Sequence, residues 1–201
     1  MFYVTGMASR FSTFIDTVAD PRISIIRNRD VVKWVYGDLS FLPARKKEEE
    51  DAWGRGILNR PVQQWSGQLG EMIGKEVCIL LYENVKIPKR IEKFQLDIET
   101  DTHMIEMKTQ TYLTGGTAAE KIPAVSFKYA DIPCITGKKL QIICVAGAEE
   151  HSRRCGLLPG PAQTPQKQKY INFFRENQVE FIGLRELLEA LQPSSLVSSN
   201  E

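Results

Sequence analysis

Residues 94–109 read FQLDIETDTHMIEMKT, and apolar and polar side chains alternate along both halves of this stretch. Alternation with a period of two residues is typical of half-buried β-strands. The predicted strands are residues 94–100 and 103–109, and Asp101 and Thr102 form the two-residue turn of a β-hairpin between them. Such a turn pairs Thr100 with His103, and this pairing sets the register of the whole hairpin.

The predicted register brings two carboxylates together, because it places Asp97 directly opposite Glu106. Directly opposite Cβ atoms lie about 4.5–5.5 Å apart, and like charges there are destabilising. Lys108 lies on the same face as Glu106, whereas Ile105 and Met107 point to the other face and into the predicted core. A divalent cation between the carboxylates removes their repulsion, and Mg²⁺ prefers such oxygen ligands together with water and phosphate oxygens. Taken alone, the same spacing is also common in a solvated surface hairpin.

The remaining hydropathy pattern predicts an α/β fold, with a mixed central β-sheet flanked by α-helices. A helix begins after Pro61 and ends at Gly74, and the apolar run 77–82 is predicted as a strand. Thr117 begins a predicted helix with a capping box to Glu120. Further predicted elements are a strand at 140–146, a helix at 167–176, a strand at 179–182 and a helix at 184–191, before a frayed tail at 193–201.

Length and composition indicate an ordinary globular protein. A chain of 201 residues favours a single domain, and residues 1–60 are a candidate region for DNA recognition or dimerisation. A net charge of +1 excludes a histone-like basic protein and an acidic disordered chain. The charge run at 45–51 is expected to form a solvated loop or helix face. No apolar run is long enough for a membrane span and no secretory signal is visible, so we expect a soluble, cytoplasmic protein.

Several other kinds of site are disfavoured. The two histidines, His103 and His151, lack the spacing of a zinc site, and the segment with His151 and Cys155 is predicted as a loop. The four cysteines form no CxxC pair, and we expect buried thiols rather than disulfides. The chain contains no G-x-S-x-G nucleophile elbow, no P-loop and no G-x-G-x-x-G fingerprint.

Residues 96–122, LDIETDTHMIEMKTQTYLTGGTAAEKI, resemble the active-site hairpin of the PD-(D/E)XK nuclease superfamily, specifically of type II restriction endonucleases. Residues 64–71, QWSGQLGE, are similar to the helix that often brings an auxiliary acid to that site. The resemblance spans about residues 61–146. It implies a restriction-endonuclease-like core. One departure is Leu96, which stands where the family often has proline, and Asp101 is the alternative to Asp97 as the first acid.

The resemblance implies a role for each residue of the motif. Asp97 and Glu106 are the expected metal ligands, Lys108 is the expected catalytic lysine, and the backbone carbonyl of Met107 completes the metal shell. Glu71 is an auxiliary acid for a second metal or a water-mediated contact, with ordinary surface charge as the alternative. The expected cofactor is Mg²⁺, with Mn²⁺ able to substitute. Gln110 shares a strand face with Lys108 and is an auxiliary contact to phosphate or a base, or a solvated strand residue.

The candidate DNA contacts lie on both sides of the hairpin in sequence. Backbone N–H groups at a glycine-rich helix start suit phosphate, and Arg and Gln suit the edges of guanine and adenine. Each of these residues alone is more typical of a turn or a solvated surface. The candidates are Arg60, Gln63, Gln64, Gly115, Gly116, Thr117, Lys121 and Lys128.

The function implied by the resemblance is Mg²⁺-dependent, sequence-specific cleavage of double-stranded DNA that leaves 5′-phosphate ends. A palindromic target predicts a two-fold homodimer. Two alternatives stay open. One is a DNA-repair or junction-resolving nuclease with the same core, and the other is a catalytically inert DNA-binding protein.

Overall fold

The structure, a computed structural model, describes residues 2–113 and 121–191. These ranges contain helices α1 (Phe2–Thr17), α2 (Arg29–Tyr36), α3 (Lys47–Leu58), α4 (Trp65–Leu81), α5 (Lys121–Lys128), α6 (Ile132–Thr136), α7 (Gly147–Cys155), α8 (Pro165–Glu176) and α9 (Leu184–Ala190). The strands are β1 (Ile98–Glu99), β2 (His103–Gln110), β3 (Lys139–Ala146) and β4 (Val179–Gly183). None of the helices in the described ranges combines the length and the hydropathy needed to cross a bilayer.

The strands form one open mixed sheet in the order β1-β2-β3-β4. Strands β1 and β2 are antiparallel, whereas β2, β3 and β4 are parallel. The predicted α/β class with a mixed, helix-flanked sheet is therefore confirmed. The predicted hairpin register is confirmed as well, because Ile98 pairs with Ile105 and the Thr100 N–H donates to the His103 carbonyl. The first strand is shorter than the predicted 94–100, because only Ile98 and Glu99 are paired with β2, and on its other edge Glu99 forms an isolated bridge to Lys86.

Both faces of the sheet are covered, and alternate residues of β2 belong to different cores. Ile105 and Met107 pack with α1, α2, α4 and α9 on one face. Met104 packs with residues of α5, α6 and α7 on the other face. Side chains from the first sixty residues, such as Phe11 and Trp34, lie in the same core as α4 and the sheet, so α1 and α2 pack as part of this core.

Helix α4 corrects one prediction, because it runs unbroken from Trp65 to Leu81 and residues 77–81 are helical rather than a strand. Gly74, the predicted helix end, instead lets α4 lie close against β2. A Cβ atom at Gly74 would stand 2.1 Å from Met107 Cε, and one at Gly70 would stand 1.8 Å from Thr109 Oγ1. The apolar run 77–82 belongs to the end of this helix, where Val77 and Cys78 are buried and the remaining residues are half-buried.

The charge run at 45–51 is exposed at residues 45–48, as predicted for a solvated loop or helix face, but Glu50 on α3 is a correction because it is fully buried. Its Oε1 accepts hydrogen bonds from Trp34 Nε1 at 2.7 Å and from the Tyr112 N–H at 3.0 Å. Its Oε2 accepts one from the Leu113 N–H at 3.0 Å. Three donors compensate the burial of this carboxylate, and they fasten α3 to α2 and to the segment after β2.

Two smaller predictions also change. The segment with His151 and Cys155 is helical, since α7 follows β3 directly. Cys134 and Cys155 are exposed, whereas Cys78 and Cys144 are buried, and all four thiols are free. The predicted helix from Thr117 is described only from Lys121 onward, as α5, and the predicted tail at 193–201 lies outside the described residues.

Candidate active site

The hairpin register places the Asp97 carboxylate beside β2. The Asp97 N–H donates to the Ile105 carbonyl at 3.1 Å, which keeps the chain antiparallel at this point. Asp97 Oδ2 in turn accepts a hydrogen bond from the Met107 N–H at 2.7 Å. Asp97 lies in a bend just before β1 and is not one of the paired strand residues, but these two hydrogen bonds tie it to Ile105 and Met107, the neighbours of Glu106. The alternative acid, Asp101, is exposed at the turn, where it binds Asn84 Nδ2.

Glu106 is buried, with 5% of its surface exposed, and its two carboxylate oxygens differ. Oε1 accepts a hydrogen bond from Lys108 Nζ at 2.6 Å and one from the Tyr129 hydroxyl at 3.3 Å. Oε2 is buried and has no hydrogen-bond partner within the described part of the chain. A buried carboxylate oxygen without a donor is costly unless a cation or water occupies its lone pairs.

The acids of this site hold their protons more tightly than ordinary carboxyls do. Burial raises the pKa of Asp97, against the opposing effects of the Met107 N–H, Lys108 and Lys128. Burial also raises the pKa of Glu106, and the charge of Asp97 adds to that rise. Burial and the charge of Glu106 raise the pKa of Tyr129 to about 12. A cation bound between two such acids would offset both the cost of burying their charges and their mutual repulsion.

Glu71 lies on an exposed part of α4 near this pair. Partial burial raises its pKa, and the charges of Asp97 and Glu106 add to the effect, whereas Lys108 opposes it. Within residues 2–113 and 121–191, however, no three His, Cys, Asp or Glu side chains are grouped closely enough to hold a metal ion. The structure thus brings Asp97, Glu106 and Lys108 together and leaves Glu71 at a longer range.

Three further predicted residues lie around this centre. The Met107 side chain belongs to the core, while its backbone N–H binds Asp97. Gln110 ends β2, and its Oε1 is buried with no hydrogen-bond partner in the described ranges. Lys128 Nζ donates to the Tyr129 hydroxyl at 2.8 Å and lies 4.4 Å from the centre of the Tyr129 ring. The roles of the Met107 carbonyl and of Gln110 stay predictions.

The predicted DNA contacts before α4 are exposed, and two of them line a cavity next to Glu71. The cavity has a volume of about 440 Å³, and its lining residues are Arg60, Gln64, Gly67, Gln68, Glu71 and Met72. Arg60 Nη2 donates to Gln68 Oε1 at 2.6 Å. Gln63 is exposed and is not among the lining residues.

The predicted contacts after the hairpin are only partly described. Lys121 is exposed, and it is the first residue of α5 within the described range. Gly115, Gly116 and Thr117 lie outside the described residues.

Sequence reasoning missed Tyr129, which contacts both Glu106 and the chain next to Asp97. In the sequence it stands 23 residues after Glu106, in a segment predicted only as helix. The one hint in the sequence is the neighbouring Lys128, which is predicted as a DNA contact near the acids. Gln68, which holds Arg60, was missed too, although it lies within the motif-like stretch 64–71.

Comparisons of this chain with protein-family models, curated proteins and solved structures find no significant match.

Proposed function

We propose that this protein is a Mg²⁺-dependent endonuclease that cleaves double-stranded DNA at specific sequences, with a core similar to that of type II restriction enzymes. One observation supports this most strongly. The buried Glu106 carboxylate has an oxygen, Oε2, with no hydrogen-bond partner among residues 2–113 and 121–191, and a second desolvated acid, Asp97, is close enough for its charge to raise the pKa of Glu106. Two acids in this arrangement suit a divalent cation, and the adjacent Lys108 suits a phosphate.

The donor set fits a hard cation. Mg²⁺ in phosphate-processing sites is typically bound through one or two carboxylates, with water and substrate phosphate as its other ligands. Asp97 and Glu106 would hold the ion, the Met107 carbonyl would add a ligand, and Glu71 would act through water or a second ion. A bound Mg²⁺ supplies positive charge that stabilises the transition state at phosphorus. Mn²⁺ has the same preference for oxygen ligands and should substitute.

The remaining residues bind and orient the substrate. Lys108 is partly exposed, with its ammonium group against Glu106 Oε1, so it can extend toward a phosphate entering the site. There its charge would stabilise the negative charge that develops during cleavage. Arg60 and Gln64 line the cavity beside Glu71, so the same strand of DNA can contact the acids and these side chains. A palindromic site implies a homodimer, with residues 1–60 available for recognition or dimerisation.

The alternatives make different predictions about the products. A repair or junction-resolving nuclease would use the same acids and lysine but would select DNA structure rather than sequence. An inert DNA-binding protein has no physical reason to bury an unpartnered carboxylate oxygen opposite another acid. That oxygen is the observation which favours an enzyme.

The test is a digestion of plasmid and phage DNA with Mg²⁺, repeated with EDTA in place of the metal. We expect discrete fragments with 5′-phosphate ends in Mg²⁺ and intact DNA in EDTA. Asp97→Asn and Glu106→Gln should both abolish cleavage. Glu99→Gln is the matched control, because Glu99 lies on the same hairpin but is paired with Lys86 and Lys138.

Each other outcome is informative. A smear of fragments contradicts sequence specificity, and cleavage of branched DNA alone favours the repair nuclease. Binding without cleavage favours the inert protein. Cleavage at the unaltered rate by either acid variant would exclude these residues as the metal ligands.

A further inference from the structure

The Tyr129 hydroxyl joins the two arms of the hairpin that carries the acids. It lies 2.9 Å from the Gln95 carbonyl, two residues before Asp97, and 3.3 Å from Glu106 Oε1. Tyr129 is buried at 1% exposure and is held by ring contact with Phe94 at 5.7 Å between centroids. A single rigid side chain therefore contacts both the Asp97 arm and the Glu106 carboxylate.

The donors that the structure describes all approach one oxygen of the Glu106 carboxylate and leave the other without a described partner. Lys108 and Tyr129 both approach Oε1, and no described group donates to Oε2. Lys128 Nζ donates to the tyrosine oxygen, so the hydroxyl proton is left to face Gln95 or Glu106. With Oε1 bound in this way, the carboxylate cannot rotate without losing these contacts.

We infer that Tyr129 is a positioning residue, which fixes the Glu106 carboxylate so that Oε2 faces the cation and which sets its distance from Asp97. Partners of metal-binding carboxylates commonly act in this way. The inference rests on the proposed function, because it assumes that Asp97 and Glu106 hold a divalent cation.

The test is a titration of the full-length protein with MnCl₂ in the absence of DNA, followed by the electron paramagnetic resonance signal of free Mn²⁺. Tyr129→Phe removes one oxygen atom and keeps the ring packing. We expect it to weaken Mn²⁺ binding about tenfold, the lower end of what loss of such a partner costs. In cleavage assays the same variant should need more Mg²⁺ for half-maximal rate and should approach the wild-type rate at saturating Mg²⁺.

Tyr82→Phe is the matched control, because its hydroxyl lies 3.4 Å from Gln141 Oε1 and away from both acids. A thermal melt of each metal-free variant separates positioning from stability, since a purely structural role lowers the melting temperature and leaves Mn²⁺ affinity of the folded protein unchanged. Wild-type affinity in Tyr129→Phe overturns the inference and leaves the metal site standing. If the wild-type protein itself binds no Mn²⁺, or if Glu106→Gln binds it equally well, the proposed metal site fails.

Discussion

Gly70 sets how closely helix α4 approaches the strand that carries Glu106 and Lys108, so Gly70→Ala should destabilise the protein. The added Cβ would stand 1.8 Å from Thr109 Oγ1 and 2.8 Å from Thr109 Cβ. Rotation of the threonine side chain moves Oγ1 but not Cβ, so α4 or β2 must shift. Overpacking costs about 1–3 kcal/mol, and we expect about 2–3 kcal/mol here because the contact with Thr109 Cβ cannot be relieved by rotating the side chain. Ala gains about 1 kcal/mol over Gly in a helix, which leaves a net loss of about 1–2 kcal/mol.

The assay is thermal unfolding followed by circular dichroism. In a chain of this length, 1 kcal/mol corresponds to about 2–4 °C, so Gly70→Ala should melt about 2–8 °C lower than wild type. Gly56→Ala is the matched control, because Gly56 lies within α3 and a Cβ atom added there would meet no described atom within 4 Å. It should melt about 2–4 °C higher. An equal rise in both variants would refute the close packing of α4 on β2.

Three further variants test other parts of the structure. Glu50→Ala should lower the free energy of unfolding, measured in urea, by at least about 3 kcal/mol, because three buried donors lose their acceptor. The control Glu48→Ala, at an exposed position on the same helix, should change it by less than about 0.5 kcal/mol. Asp97→Asn should raise stability at neutral pH by about 0.5 kcal/mol. Burial raises the folded-state pKa of Asp97, so the wild-type protein gains stability as the pH falls through that pKa. Urea titrations should therefore show that the stability advantage of Asp97→Asn disappears in acid. Lys108→Met should slow single-turnover cleavage at least about 100-fold, with little change in DNA affinity measured by filter binding. The control Lys139→Met should leave both the cleavage rate and the DNA affinity unchanged.

The hairpin and its acids could be predicted because they depend on local pattern. Alternating side chains and a two-residue turn fix the register of Ile98 with Ile105, whereas Asp97 lies in a bend beyond the paired residues and is placed by its hydrogen bonds to Ile105 and Met107. The course of α4 could not be predicted in the same way. An apolar run such as 77–82 fits a buried strand or a buried helix, and the course of α4 depends on the close packing of Gly70 and Gly74 against Thr109 and Met107, which are distant in sequence.

Two features of the site depend on tertiary contacts that leave no local signal. Glu50 stands beside Glu48 and Glu49 in a run of like residues, and its donors come from Trp34 on α2 and from the segment after β2. Tyr129 reaches Glu106 because α5 packs on the sheet face that carries this acid. Both side chains read as ordinary surface or core positions in the sequence, since their partners come from other elements.

The central claim is that Glu106 and Asp97 hold a divalent cation, and a crystal soaked in Mn²⁺ tests it most directly through anomalous scattering. The account predicts a strong anomalous peak within about 2.5 Å of Glu106 Oε2 and beside the Asp97 carboxylate. A crystal of Glu106→Gln treated in the same way should lack this peak. A wild-type map with Mn²⁺ bound elsewhere, or with no peak at Oε2, would contradict the account.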